Sequence, residues 1–533
     1  MTKLVIDEKS LIKRAQEYAD KDEDMSALKL LNRCYSMEAK LFRAEMLNEM
    51  GYNYLSANLI FEVWAGRRVW QEEEDITTML SNSLDTQDFD GATMYGKQLS
   101  VEDDENELDE QLRDIANKIM SEEKDVYRIV YPRNRKFYDE MLSTARDKIS
   151  EMKVPEAIEL LKDILSRDPD NFNAICSLCF CYIMINDNDN AKIYNAKSLQ
   201  LMKDDDIFAL SNAIMVAYAD GEKATVAQLT ERICSIKIVE YLDYYKIAST
   251  FCEIKQHKLA YTYLQKFCAE CNPDVSVSVL FGISAINSGH YYEAKDIFLD
   301  IMVCDVESEV ARYYLTIAQK AIKGDKIKPL QYTTTLPSAE IERRLQLVQS
   351  KVDFFGMFDN AELLRTVLWV YRVFDTDSIV FDLTSKIAEV DSIKVDRFFL
   401  KLLLDSVVST RVKQKIFYYL LKRGKRGQIC FCDRMRFYKI DLQGFQTPFC
   451  DDALCLAISK LITIGSLTTE VCNDLIYIAK NCSDILLETG LLNGLSSEAL
   501  AYFLIDSSLL LGRAIADSVF PKMSVSLAME LDS

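Results

Sequence analysis

A small residue followed by large apolar ones four and seven positions later recurs along this chain at a spacing near 34, and few folds satisfy such a repeat. Ala157, Leu161 and Ile164 form one instance, with Pro169 after them. Ala191 stands one period further on, and the helix expected before it supplies Leu178, Cys179 and Tyr182. Ala260, Leu264 and Phe267 follow a segment carrying Ile247, Ala248 and Phe251, and 34 residues later come Ala294, Phe298 and Ile301 behind Phe281 and Gly282. The returns from 157 to 191 and from 260 to 294, with the preceding helix also in phase, imply a chain built from helix pairs. Each pair is amphipathic and too small to bury its apolar face alone, so neighbours must stack. The first helix of a pair offers a small residue (Ala145, Cys179, Ala213, Ala248, Gly282) where its partner approaches, and the second fills the gap.

These positions resemble the tetratricopeptide repeat, which places small residues where helix A crosses helix B and bulky ones between them. The resemblance covers residues 1–322 and implies an all-α, tetratricopeptide-like helical-repeat solenoid that binds other proteins. It also implies that helix A lines a concave groove, and by phase the groove positions are Asn173, Cys176, Phe180 and Ile183, then Leu242, Tyr245 and Ser249, then Ser276, Val279 and Ile283. That mostly apolar and aromatic set suits a peptide or helical segment of a partner. Members that grip a chaperone's terminal carboxylate use Lys and Asn at inward positions, and the residues here disfavour that mode.

Glycine (16) and proline (8) are scarce and hydrophobics reach 49%, as a helical protein of this length requires. Residues 1–100 carry degenerate pairs: Leu11, Ala15, Tyr18, Ala27, Leu31 and Cys34, then Leu41, Ala44, Ala57, Phe61 and Trp64, then Ile76, Met79 and Ala92. The repeat around Thr225 and Leu229 is also irregular, because Asn212 stands where a large apolar residue is expected. Seven to nine pairs are expected before residue 322. An acidic connector or helix spans 101–130, with seven acids in the nine residues from Glu102 to Glu110, and the regular repeats span 131–322. Two prolines and a β-branched run mark a linker at 323–338. Residues 339–533 resume as a C-terminal helical domain, either HEAT-type pairs or a compact bundle, interrupted by a short β-hairpin expected at 428–442.

Residues 411–439 hold ten Lys or Arg against the single acid Asp433. Lys422, Arg423, Lys425, Arg426, Arg434 and Arg436 are therefore candidates for an acidic ligand. Three readings stay open: docking on the chain's own acids or a solvated surface, contact with nucleic acid, or another acidic ligand. A net charge of −20 disfavours nucleic acid and acidic membrane as general partners. A helix-turn-helix-like stretch at 515–526 has Phe520 and Pro521 in its turn and lacks basic residues in the second helix, which argues against DNA reading.

No catalytic, cofactor or metal motif is present. His257 and His290 precede Ala260 and Ala294 and fall in turns between helices; Cys176-x2-Cys179 and Cys268-x2-Cys271 lie on repeat helices, far apart, and Cys430-x-Cys432 points to opposite faces of a strand. Fifteen cysteines are expected to be free thiols. Neither a secretory signal nor a membrane span is expected, since Lys460 and Asp506 interrupt the two best apolar stretches. The expectation is a cytoplasmic, non-catalytic adaptor for another protein. Its alternative is a nucleic-acid-associated regulator that works through 411–439.

Overall fold

The computed structural model describes residues 8–66, 73–102, 135–150, 152–202, 205–271, 274–349, 354, 356–374, 378–423, 427–441 and Ser459. The acidic tract beyond Glu102, Lys425, Arg426, the interrupted apolar stretches around Lys460 and Asp506, and the 515–526 segment lie outside them. The described chain is all-α apart from one two-stranded sheet. It forms two compact units, one of residues 1–123, 303–309 and 338–533, the other of 124–302 and 310–337.

In chain order the helices are α1 (Glu8–Ala19), α2 (Asp24–Leu31), α3 (Met37–Glu49), α4 (Asn53–Gly66), α5 (Glu73–Asp85), α6 (Phe89–Glu102), α7 (Arg135–Ser150), α8 (Val154–Arg167), α9 (Phe172–Met184), α10 (Asn188–Leu201), α11 (Ile207–Ala219), α12 (Lys223–Ser235), α13 (Tyr241–Glu253), α14 (His257–Glu270), α15 (Val275–Ser288), α16 (Tyr291–Cys304) and α17 (Glu309–Ile322). Up to α16 they alternate as helix A and helix B of eight pairs. In the second unit the predicted small residues sit where helices cross: Ala157, Ala191, Ala260 and Ala294 are buried, as are Cys179, Ala213 and Ala248. Leu161, Ile164, Leu264, Phe298 and Ile301 fill the core between them. Polar caps start the helices, with Asn171, Asp187, Asp206 and Asp274 each accepting an N–H from the first turn.

A second periodicity, absent from the apolar pattern, lies in the backbone. Met152, Asn186, Gly221, Lys255, Gly289 and Gly324 recur every 34 or 35 residues, all with positive φ. Each follows a helix A, and the next residue's N–H closes back on the carbonyl five residues earlier, as in Asp187 N to Tyr182 O (2.9 Å) and His290 N to Ala285 O (2.8 Å). The repeat read as irregular around Asn212 keeps this turn at Gly221. Its departure is chemical: Asn212 is buried and its Nδ2 donates to Cys176 O at 2.9 Å. Lys255 is exposed and holds the left-handed conformation at a steric penalty that glycine avoids. Lys255→Gly is expected to stabilise the protein by about 0.5–1 kcal/mol in urea unfolding, and a loss of stability would refute the assignment of strain to this turn.

The predicted linker is a bound strap. Ile327, Leu330 and Tyr332 pack on the second unit's core, Asn287 donates to Leu330 O (2.9 Å) and accepts from Leu330 N (2.7 Å), and Tyr332 Oη meets His257 Nδ1 at 3.1 Å.

In the first unit the C-terminal helices are α18 (Ser338–Gln349), α19 (Ala361–Val373), α20 (Ser378–Ala388), α21 (Ile393–Leu403) and α22 (Thr410–Lys422), followed by β1 (Gln428–Asp433) and β2 (Arg436–Asp441). The strands are antiparallel, pairing Phe431 with Tyr438 and Asp433 with Arg436. Residues 1–100 and the C-terminal third, expected as separate domains, share a core. Cys432, Met435 and Phe437 of the hairpin pack with Phe61, Trp64 and Tyr95 of α4 and α6.

Candidate functional site

Three consecutive A helices of the second unit bring one side chain each to a common point. Lys246 of α13 places its Nζ 4.4 Å from the Phe180 ring centroid of α9 and 4.3 Å from that of Phe208 on α11. The two rings lie 6.1 Å apart and hold the amine between them by cation–π attraction. Among the described residues no carboxylate or carbonyl hydrogen-bonds or ion-pairs with this amine. Burial pushes the Lys246 pKa down to about 8, against a partial upward pull from Cys179, Cys176 and Asp206. Burial likewise pushes the Cys176 and Cys179 thiols up to about 12, so they remain neutral.

The ten groove positions divide. Asn173, Leu242 and Ser276 are exposed, and Phe180, Ile183, Tyr245 and Ser249 are half-buried. Cys176, Val279 and Ile283 are core residues, which corrects their reading as ligand contacts. Helix A is covered by its own helix B and also by the next helix A, so the lining face is narrower than an outward-phase reading allows. Tyr245 keeps its ring against Phe267, 5.5 Å between centroids. Phe208 and Lys246 were missed. Counted from the recurring turn at Asn186, Gly221, Lys255 and Gly289, residues 177, 212, 246 and 280 share one repeat position, occupied by Ser, Asn, Lys and Leu, so three successive repeats place a polar residue there.

The basic segment is largely absorbed by its own unit. Arg436 is buried, bonded to Asp433 (2.5 Å) and 3.7 Å from Asp90, and Lys413 is buried with Nζ on Cys432 O at 2.7 Å. Arg423 donates to Val390 O (2.9 Å) and lies 3.2 Å from both Asp391 and Asp396. Lys415 donates to Phe381 O at 3.0 Å, and Lys422 stays exposed beside Tyr418. Arg434 is exposed at the hairpin turn. A nucleic-acid surface needs adjacent cations facing solvent, and Lys413, Lys415, Arg423 and Arg436 instead face carbonyls and carboxylates of the same unit.

His257 begins α14 and His290 precedes α16, stacked on Tyr261 with centroids 4.1 Å apart. The cysteines among the described residues are free. Among those residues no group of three His, Cys, Asp or Glu converges as a metal site, and no helix is long and apolar enough to cross a membrane.

No family model matches this chain, and no curated protein matches it. Solved structures similar to it include a tetratricopeptide repeat protein from Parabacteroides merdae, 13% identical, covering 58% of this chain and 98% of that one at a TM-score of 0.28. Another is an IFIT1 monomeric mutant with Gppp-AAAA, 11% identical, covering 78% and 94% at 0.31. A third is yeast Tom70, 10% identical, covering 99% of each chain at 0.26.

Proposed function

We propose that this chain is a non-catalytic protein-binding scaffold that holds a partner's segment on the helix-A face of its second unit, with an acidic group of the partner on Lys246. The observation that carries this reading is the amine held between Phe180 and Phe208 with no acceptor among the described residues. A desolvated cation left without an acceptor destabilises the fold, and a partner's carboxylate would offset that. Half-buried Tyr245 and exposed Leu242 lie on the same helix and offer apolar contact beside it.

The test is affinity capture from native lysate, with and without nuclease, comparing wild type with Lys246→Met and with Phe180→Ala. A partner that survives nuclease and is lost with both variants supports the scaffold. A partner indifferent to both, or one that needs nucleic acid, overturns it.

The acid–base behaviour gives a sharper check. Only the protonated amine attracts a carboxylate, so affinity for the captured partner is expected to hold below pH 8 and to fall as pH rises past it, while Lys246→Met stays flat. Stability runs the other way. The folded pKa lies below the unfolded one, so the unfolded chain binds more protons between pH 8 and about 10.5, and stability rises with pH across that window. Lys246→Met is expected to remove that rise and to increase the melting temperature near neutral pH while abolishing binding.

A further inference from the structure

The first unit contains a cleft of about 200 Å³ between α3–α4, residues 304–307 and the α19 and α21 region. Leu55 and Leu59 of α4 contribute apolar surface to its lining. The lining is otherwise mostly charged, and most of those charges are matched. Arg372 lies 2.8 Å from Glu307 and 2.7 Å from Asp405, Lys401 lies 3.0 Å from Glu307, and Glu62 pairs with Lys40 at 2.8 Å. Asn58 is engaged as well, donating to Asp405 and accepting from Ser406 N.

Two opposite charges remain. Arg43 has five N–H donors, and its one hydrogen bond among the described residues is a 3.3 Å contact from Nη2 to Cys304 O. Its Nε is buried and has no acceptor. Asp305 accepts the Glu307 backbone N–H at 3.0 Å and has no cation within ion-pair distance among the described residues. Burial lowers the Arg43 pKa against a partial upward pull from Asp305, and raises that of Asp305 against a partial downward pull from Arg372, so both would gain from a closer counter-charge.

We infer that this cleft binds a free α-amino acid with an apolar side chain, its carboxylate on Arg43, its ammonium on Asp305 and its side chain against Leu55 and Leu59. Charge balance selects this class. The lining has three cations and four carboxylates, a net −1 that rejects a phosphate dianion and admits a zwitterion. The inference is independent of the groove in the second unit.

Titration calorimetry on the full chain tests it, with L-leucine, L-methionine and L-phenylalanine as probes at up to about 10 mM, beside leucinamide and N-acetyl-leucine. A free amino acid is expected to bind, and leucinamide, which lacks the carboxylate, and N-acetyl-leucine, which lacks the ammonium, to bind at least about tenfold more weakly. Arg43→Gln and Asp305→Asn are each expected to weaken binding by about tenfold or more. Val306 is exposed at the cleft and makes none of these ion pairs, so Val306→Trp should block binding in a protein with unchanged circular dichroism. That variant decides the matter if the charge variants misfold. The inference fails if none of the three amino acids binds, if the amide or the acetyl derivative binds as well as the amino acid, or if binding survives Val306→Trp.

Discussion

Replacing Phe437 with alanine is expected to destabilise the first unit by about 3–5 kcal/mol, a large loss for a residue on a two-stranded hairpin. Its ring is stacked on Phe61, 5.7 Å between centroids at 24°, and meets Trp64 edge-on at 5.5 Å and 71°. Trp64 is fixed in turn by a 2.9 Å hydrogen bond from Nε1 to Asp75. Around the ring the hairpin turn is clamped by Tyr95, whose hydroxyl donates to Met435 O at 2.6 Å, and by Asp88, which accepts from Met435 N at 3.1 Å. Deleting the ring leaves a cavity among rigid aromatic neighbours that cannot close, so the upper part of the range applies. Hydrogen exchange should show the effect in α4 and α6, more than 300 residues away in sequence, as well as in the strands. Arg434→Ala, at the exposed turn of the same hairpin, is the control and should shift stability by less than about 0.5 kcal/mol. Loss of protection confined to residues 428–441 would show that the hairpin is an appendage and not part of the core.

That long-range contact explains which parts of the molecule could be read from the sequence. The helix pairs were legible because each crossing imposes its own local demand. A small residue such as Ala260 or Ala294 must stand within a few positions of Leu264 or Phe298, and the demand returns every 34 residues. The hairpin was legible for the same reason, through alternation between Ile429 and Ile440. Its destination was not, because packing of Phe437 on Phe61 leaves no mark at any fixed spacing. The basic charge of 411–439 was likewise plain in composition, while its disposition depends on Asp90, Asp391 and Asp396, residues that no pattern ties to it. Of the proposed groove, phase picks out Phe180 and Tyr245, while Lys246 stands at a position that three successive repeats fill with Ser177, Asn212 and Lys246, and a search for apolar repeat residues passes over it. Such departures from local consistency are where a repeat array carries function, since the consensus residues serve packing.

Gly282→Ala is expected to destabilise the second unit by about 1–3 kcal/mol, although alanine is the better helix former by about 1 kcal/mol. Gly282 lies in the interior of α15 with ordinary helical φ, so backbone freedom is not what the position needs. A Cβ there would approach two carbons of the Phe298 ring to 2.8 Å, and that ring, fully buried and stacked on Tyr314 at 5.6 Å, has nowhere to move. Steric conflict therefore outweighs propensity, and the sign of the measured change decides between them. The double variant Gly282→Ala, Phe298→Leu separates the causes further. Phe298→Leu alone should destabilise through lost packing; if the conflict is with the ring, adding Gly282→Ala to it should restore part of the loss, with a coupling energy of about 1 kcal/mol or more in urea unfolding. Additive effects would place the role of Gly282 elsewhere in the helix crossing. Since Cys179 and Ala248 hold the equivalent position in earlier repeats, the same conflict sets a graded rule: the larger the helix-B residue that fills the gap, the smaller its helix-A neighbour must be.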